Sequence, residues 1–288
     1  MTDSANGAVT WVKGHGTEND FLLVADPDGD QEKRLGAELV RAICDRRRGV
    51  GADGLLRVIR SAALPDGEPY AAEAEWFMDF RNADGSTGEI CGNGVRVFVR
   101  YLLSAGLVDP AATVIPVATR AGVRLVRRPD DESFTVEMGT VSFPWSGTRP
   151  LIRIAEGAEA APATAVDVGN PHAVVFVEDI ADAGTLSRSP SWEPAEVFPA
   201  GVNIEFVQRL AADRLRMRVY ERGVGETRSC GTGATAAAAT AARADHAAVP
   251  WSYQVEVPGG VLRIDADADG CVRMTGPAVL TAQGIFGG

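Results

Sequence analysis

Hydrophobic and polar positions divide this chain into many short alternating stretches and only a few helical ones. Alternation with a period of two predicts strands at Val9 to Lys13, Phe21 to Ala25, Leu55 to Ile59, Ala74 to Phe80 and Val114 to Thr119. The second half repeats the pattern at Ala165 to Val168, Ala173 to Val177, Asn203 to Gln208, Leu215 to Tyr220 and Ser252 to Val257. Leu35, Leu39 and Ile43 share one face of a predicted helix over Lys33 to Arg46. Two further helices, Val95 to Ala105 and Ala234 to Arg243, each begin just after a Cys-Gly-x-Gly sequence. Strands are not interleaved one for one with helices, which argues against a doubly wound parallel sheet and for an α+β fold. Ala62 to Pro69 and the Ser-Pro-Ser-Trp-Glu-Pro sequence ending at Pro194 read as surface loops.

The two Cys-Gly-x-Gly sequences belong to an internal repeat. Cys91 and Cys230 are 230 − 91 = 139 residues apart, as are Met78 and Met217, Phe80 and Val219, and Asn82 and Glu221. Downstream, Val114 to Thr119, Val123 to Arg127 and Met138-Gly139 have counterparts in Gln254 to Val257, Val261 to Ile264 and Thr275-Gly276. Upstream, the run from Gly16 to Val24 resembles the run from Gly169 to Val177, which sets Asn19 against His172. One ancestral half used twice predicts two pseudo-symmetric domains with a ligand cleft between them, since a solenoid would show more copies at a shorter period.

Composition narrows the function. The 288 residues suffice for two cores of ordinary size. A net charge of −11 disfavours non-specific nucleic-acid binding, which needs a basic surface. No apolar run approaches the roughly 20 residues of a membrane span. Met1 to Gly7 is polar and lacks the basic and apolar regions of a signal peptide, so a cytoplasmic chain with free thiols is expected.

A thiol at a helix N-terminus meets backbone N–H groups and the positive end of the helix dipole, both of which favour a thiolate. The glycine after each thiol lets a ligand approach the backbone closely. A lone cysteine is usually a small buried hydrophobe. The duplicated glycine-flanked context speaks against that for Cys91 and Cys230, but not for Cys44 or Cys271. No cysteine or histidine stands at metal-ligand spacing, so no metal is expected. The glycine-rich loops lack the Lys-Ser/Thr of a P-loop. Only Lys13 and Lys33 could form a Schiff base, and neither position suits a pyridoxal phosphate site, so no cofactor is expected. Asn19, Asn82, Asn170, His172, Asn203, Glu221 and Arg222 gather at strand ends and turns around the same loops. One such Asn is turn chemistry; this many, in register with the repeat, suggest a polar shell around a ligand.

At these residues the chain resembles the diaminopimelate epimerase family. The matching stretches include His15 to Phe21, Gly51-Ala52-Asp53-Gly54, Arg81 to Ser86, Cys91 to Arg96, Gly169 to His172, Gly201-Val202-Asn203, Tyr220 to Thr227 and Cys230 to Gly233. The resemblance covers the chain from about residue 10 to its end. It implies two pseudo-symmetric domains, each a β-barrel-like sheet around a central helix. Residues 1–128 with a returning strand at 277–288 would form the first and 129–276 the second. It implies interconversion of LL- and meso-diaminopimelate, on the route to lysine and peptidoglycan precursors, without pyridoxal phosphate or metal. Cys91 and Cys230 match the family's catalytic cysteines, and His172 and Glu221 match residues thought to tune them. Asn19, Asn82, Asn170, Asn203, Glu221 and Arg222 match substrate-binding positions. Gly92-Asn93 and Gly231-Thr232 match the N–H groups that hold the reacting carboxylate. Gly54 departs from the pattern, since some members place a Gln there, and Thr185 to Phe198 has no clear role in it. The implied partner is a small amino acid, with a homodimer left open.

Inverting a carbon needs proton removal on one face and delivery on the other, so a thiolate and a thiol on opposite faces suit the reaction. Proline and hydroxyproline racemases also use two thiols but need no shell for a distal ammonium and carboxylate. Phenazine-biosynthesis-like isomerases typically lack the thiol pair, and a catalytically dead binding protein has no need of it. Asn82, Asn203 and Glu221-Arg222 favour diaminopimelate over these.

Overall fold

The computed structural model describes residues 8–128, 133–145, 147, 149–155 and 157–287. The polar stretch Met1 to Gly7 lies outside them. The chain divides into two compact units, one running to Val136 and resuming at Pro277, the other spanning Glu137–Gly276. The resemblance placed the division at 128; in the structure it falls later, as β7 (Phe134–Gly139) begins by pairing with β6 (Gly122–Arg127), through Thr135 and Val136.

In the first unit β6 and β7 join β1 (Val9–Gly16), β2 (Asn19–Ala25), β3 (Gly54–Arg60), β4 (Trp76–Asn82) and β5 (Val114–Thr119). The order is β7-β6-β5-β4-β3-β2-β1, closed at the edge by the chain's last strand, which pairs antiparallel with β1 from Val9↔Phe286 to His15↔Val279. Helix α1 (Ala37–Cys44) lies outside this sheet against β3, whereas α2 (Gly92–Ser104) touches β1 through β6 and the final strand. A helix enclosed by strands is apolar on every side. Val95, Val97, Phe98, Val99 and Leu102 are accordingly buried, and so is Arg96.

The second unit repeats the plan. Its main strands are β10 (Thr164–Asp167), β11 (Pro171–Val177), β13 (Asn203–Ala211), β14 (Arg214–Glu221), β16 (Trp251–Val257), β17 (Gly260–Ala266) and β18 (Val272–Gly276), neighbours in that order. All seven touch α3 (Gly231–Ala244). Every residue of α3 from Gly233 to Ala242 is buried. Its small side chains let the strands close in, and Thr235 and Thr240 satisfy their hydroxyls on the carbonyls four residues back, at 3.0 and 2.7 Å. A short strand β15 (Gly225–Thr227) folds back on the end of β14, and the last strand of the chain is β19 (Val279–Phe286).

Three expectations need correction. The helix over Lys33 to Arg46 is only Ala37–Cys44, because Gly36 and Asp45 are both extended and the Asp45 carboxylate accepts from the N–H groups of Arg47 and Arg48 instead of continuing the turn. The Ser189 to Pro194 sequence is not all loop, and the stretch around it, Thr185 to Phe198, is anchored in the fold. β12 (Ser191–Glu193) pairs with β8 (Leu151–Arg153), which also pairs with β9 (Ala161–Pro162), and Leu186, Val197 and Phe198 are buried in a core with Ile152 and Phe206. The third concerns the repeat itself. Leu55 pairs with Arg81 and Leu22, just as Ile204 pairs with Tyr220 and Ala173. The strand register therefore matches Phe21 with His172, Asn19 with Asn170 and Leu56 with Glu205. The Gly16–Gly169 comparison was out by two on this strand: it set Asn19 against His172, where the pairing sets Asn19 against Asn170 and Phe21 against His172.

Candidate active site

Each cysteine of the repeat caps its helix. Cys91 and Cys230 are extended, at φ −140° and −123°, and each sulfur accepts from the N–H three residues on, Gly94 or Gly233, at 3.4 Å. A cap must bend the chain while receiving an N–H, and the glycines beyond it let the first turn pass close under the sulfur. The N–H groups of Gly92-Asn93 and Gly231-Thr232 head these helices, at the positive end of the dipole. Cys91 is half-buried and Cys230 is buried.

Around Cys91 the side chains come from three strands and a turn. Thr17 and Glu18 both take left-handed backbone, φ 50° and 62°, in the two-residue turn that delivers Asn19 to the start of β2. Asn19 Oδ1 accepts from Cys91 Sγ at 3.5 Å and from Asn93 Nδ2 at 3.2 Å, while Asn19 Nδ2 donates to Asp53 at 2.8 Å. A carboxylate only accepts, so Asp53 fixes which end of the Asn19 amide faces the sulfur. Arg46 bridges Asp53 to Asp20 at 2.7 Å to each, and Lys13 meets Asp20 at 2.9 Å. Burial alone would raise the Asp20 pKa; Arg46 and Lys13 together hold it below the usual carboxylate value. Arg96 lies on α2 one turn past the cap, fully buried, donating to the carbonyl of Pro277 at 3.2 Å and to Thr17 Oγ1 at 3.4 Å. Burial pushes its pKa down to about 10, against the pull of Cys91. Asn82 is held by Ser86, its amide donating to the hydroxyl at 3.0 Å.

Around Cys230 the surroundings are charged. His172 Nδ1 meets Glu205 Oε1 at 2.7 Å, and its Nε2 meets Asn170 Oδ1 at 2.9 Å. Asn203 Oδ1 accepts the backbone N–H of Arg222 at 2.9 Å, which joins the start of β13 to the end of β14. Glu221 accepts from the Thr227 hydroxyl across the β14–β15 hairpin. Arg222 is exposed and reaches the carbonyl of Ala200 at 3.3 Å. The hydroxyl of Thr232 lies 3.5 Å from Cys230 Sγ. Burial, then the charges of Glu221 and Glu205, push the Cys230 thiol well above its ordinary pKa. Cys44 is pushed up to about 12, chiefly by burial, which makes it inert; Cys271 is raised in the same way.

The structure thus brings Asn19 and Asn93 to Cys91, and His172 with Asn170 to the same end of the second unit as Cys230. Asn82, Asn203 and Glu221 stand at the ends of β4, β13 and β14, with Arg222 just past β14, and of these Glu221 acts on Cys230 by its charge. Among the described residues no group of His, Cys, Asp and Glu could hold a metal ion. No helix among them is long and apolar enough to cross a membrane.

A sequence model of diaminopimelate epimerase matches residues 11–144 and 164–281, most of the chain and both capped helices. The chain belongs to the diaminopimelate epimerase family. It is 50% identical over 283 residues to the diaminopimelate epimerase of Streptomyces coelicolor, covering 96% of this chain and 95% of that one. It is 48% identical over 280 residues to that of Thermobifida fusca, covering 95% and 96%. Among solved structures, a hydroxyproline epimerase from Agrobacterium vitis matches all of this chain and 94% of its own, with a TM-score of 0.70 at 16% identity. A phenazine biosynthesis protein from Bacillus anthracis matches 97% of this chain and 99% of its own, with a TM-score of 0.65 at 16% identity. At such identity these two show the fold alone.

Two residues of the site escaped the sequence reading. Asp53 stood inside a matching stretch of the family but received no role; its signal was a carboxylate between two glycines just before a strand. Glu205 was passed over altogether, although a charge inside the run Asn203-Ile204-Glu205-Phe206-Val207 had nowhere to point but inward. Gly54, where some of the family carry Gln, has no room for a side chain: a Cβ there would meet the Arg81 carbonyl at 2.6 Å and the Phe80 ring at 2.9 Å.

Proposed function

We propose that this protein interconverts LL-2,6-diaminopimelate and meso-diaminopimelate, on the route to lysine and peptidoglycan precursors, with Cys91 and Cys230 as its two proton carriers. The observation that carries the reading is the duplicated helix-cap cysteine, each sulfur set in the first turn of an enclosed helix, in a chain that belongs to this epimerase family. One sulfur, as thiolate, takes the α-proton; the C–H pair of electrons moves into the carboxylate and S–H forms. The other, as thiol, delivers its proton to the opposite face, and the configuration inverts. The N–H groups of Gly92-Asn93 and Gly231-Thr232 hold the carboxylate on which charge develops, where fixed donors act with the least reorganisation. Asn19, Asn82, Asn170, Asn203, Glu221 and Arg222 receive the polar groups of the substrate, and His172 and Glu221 set the environment of the thiols. No step calls for a cofactor or metal.

The test is epimerisation of LL-diaminopimelate in deuterated solvent. Cys91→Ala and Cys230→Ala should each abolish turnover while the circular dichroism stays native, and wild-type product should carry deuterium at the inverted carbon. Near-normal turnover by either variant would overturn the two-thiol reading.

A further inference from the structure

The two halves share a fold, yet what lies beneath their capped helices differs. Under α2 the register positions are filled by Phe21 and Leu56, whose side chains lie 3.6 and 3.5 Å from where a Gly94 Cβ would be. Under α3 the same two positions hold His172 and Glu205. Glu205 Oε1 lies only 2.8 Å from where a Gly233 Cβ would be. Both side chains are fully buried. A buried carboxylate that replaces a leucine is costly unless it is fully hydrogen-bonded. Glu205 is not: Oε1 receives the His172 ring, but Oε2 has no hydrogen-bond partner. The second half thus keeps an incompletely compensated negative charge where the first half does without one.

We propose that Glu205 is a positioning residue for Cys230: its carboxylate accepts from His172 Nδ1–H, orienting the ring toward Asn170, and its charge beneath the α3 N-terminus keeps the proton on the Cys230 thiol. The groups that act on this sulfur can be named strand by strand. β13 supplies Glu205 and the end of β14 supplies Glu221; the Thr232 hydroxyl and the Gly233 N–H come from α3 itself; His172, at the start of β11, acts through its contact with Glu205. β10, β16, β17 and β18 present Val166, Val255, Leu262 and Met274 to the same core. Tyr253 bonds Asp245 past the far end of α3. The direction found for the Cys230 thiol agrees with this geometry. The helix dipole, which favours a thiolate, is opposed by two carboxylates. In the first half the two register positions that hold His172 and Glu205 carry Phe21 and Leu56, so this device belongs to the second half of the duplicated fold. A two-thiol epimerase needs one sulfur that keeps its proton, since two thiolates would leave no proton to deliver.

The role rests on Cys230 being a proton carrier, but its test needs no substrate. The whole protein is alkylated with iodoacetamide over a range of pH, and the Cys230 and Cys91 peptides are followed separately by mass spectrometry. The pH dependence is read, not the absolute rate, because burial slows the reagent at every pH. Glu205→Gln keeps the volume and an acceptor oxygen for His172 while removing the charge. Its Cys230 curve should move to lower pH, with a roughly threefold or greater rise in rate near pH 8 as the thiolate fraction grows. The Cys91 curve should stay in place, and Glu205→Asp should restore the wild-type Cys230 curve. An unmoved Cys230 curve, or equal movement at both cysteines, overturns the proposal. Should Glu205→Gln fail to fold, the wild-type protein decides: Cys230 must label only above the ordinary thiol range near about pH 8.5, and labelling at or below it overturns the proposal. With diaminopimelate as substrate, Glu205→Gln should shift the pH dependence of kcat and leave KM within about twofold. Loss of the alkylation shift counts against Glu205; absence of turnover in wild-type protein counts against the function.

Discussion

Gly94 and Gly233 occupy the same turn of α2 and α3, and each donates to the capping sulfur of its own helix, Cys91 or Cys230, but the structure predicts opposite outcomes when each becomes alanine. Replacing a helical glycine by alanine stabilises by about 0.5–1 kcal/mol where the methyl fits, because the unfolded chain loses freedom. At Gly94 it fits: the nearest atoms are 3.4–3.6 Å away, ordinary van der Waals contact. At Gly233 the methyl meets Glu205 Oε1 at 2.8 Å and the Cys230 Cβ and Sγ at 3.3 Å. The carboxylate must retreat by several tenths of an ångström, and it is held at 2.7 Å by His172 inside a closed core. Weakening a hydrogen bond to a charged group costs about 1.5–3 kcal/mol, which exceeds the helical gain. Gly94→Ala should therefore raise the melting temperature by about 2–4 °C, and Gly233→Ala should lower it by a similar amount. Circular dichroism melts of the two variants beside wild type, in one buffer at neutral pH, measure this directly. Equal increases in both variants would show that Glu205 swings aside freely and that the reasoning fails. A decrease in both would show that the cap geometry tolerates no methyl at all.

Asp53→Ala releases the Asn19 amide to turn over and should lower kcat/KM by about tenfold, on the scale of one lost charge-assisted hydrogen bond, with Asp53→Asn closer to wild type; unchanged kcat/KM in Asp53→Ala would refute the orienting role. Asp79 is buried between Arg81 and Arg120, at 2.9 and 2.7 Å. Burial alone would raise its pKa, but the two guanidinium groups hold it below the ordinary value of 3.8. Its stabilisation is then present above that value and is lost as pH falls through it toward the lower folded-state pKa. Asp79→Asn should cost about 3–5 kcal/mol in urea unfolding at pH 7 and should flatten the decline in acid; an unchanged acid limb would contradict this. Arg222 is exposed and fastened only lightly through its side chain, which suits a group kept for a distal carboxylate. Arg222→Met should raise KM roughly tenfold or more and lower kcat as well; lysine, lacking that carboxylate, should be a very poor substrate, and comparable turnover of the two would refute the assignment.

The helix caps were legible in the sequence because Cys-Gly-x-Gly before an apolar run is local chemistry, and both cysteines stand where that chemistry puts them. The strands were legible wherever one face is wet, as in β14, where Arg214, Arg216 and Arg218 alternate with buried Leu215, Met217 and Val219. Legibility failed where burial is two-sided. From Asn203 to Val207 every residue is buried, alternation vanishes, and Glu205 lost the contrast that would have marked it. It failed again where one side chain redirected the backbone, as Asp45 does at the end of α1. The repeat was visible from the spacing of the cysteines, but its exact register upstream was not. Only pairing across the strands sets Phe21 against His172.

The closing of the first unit by β19 has a consequence for the order of assembly. Arg96 donates to the carbonyl of Pro277, and β1 has the last strand as its outer neighbour, so the first unit lacks parts until the far end of the chain exists. The second unit is one continuous span, Glu137–Gly276. At synthesis rates of about 5–20 residues per second, the ribosome works for roughly ten seconds after Val136 before supplying what Arg96 and β1 await. During that interval the earlier-made residues wait with an open edge on β1 and without the Pro277 carbonyl that Arg96 binds, while the later-made unit is delivered without interruption. The usual sequence, in which the N-terminal portion matures first, is expected to reverse, and a released chain truncated after Gly276 should protect the Cys230 half from proteolysis better than the Cys91 half.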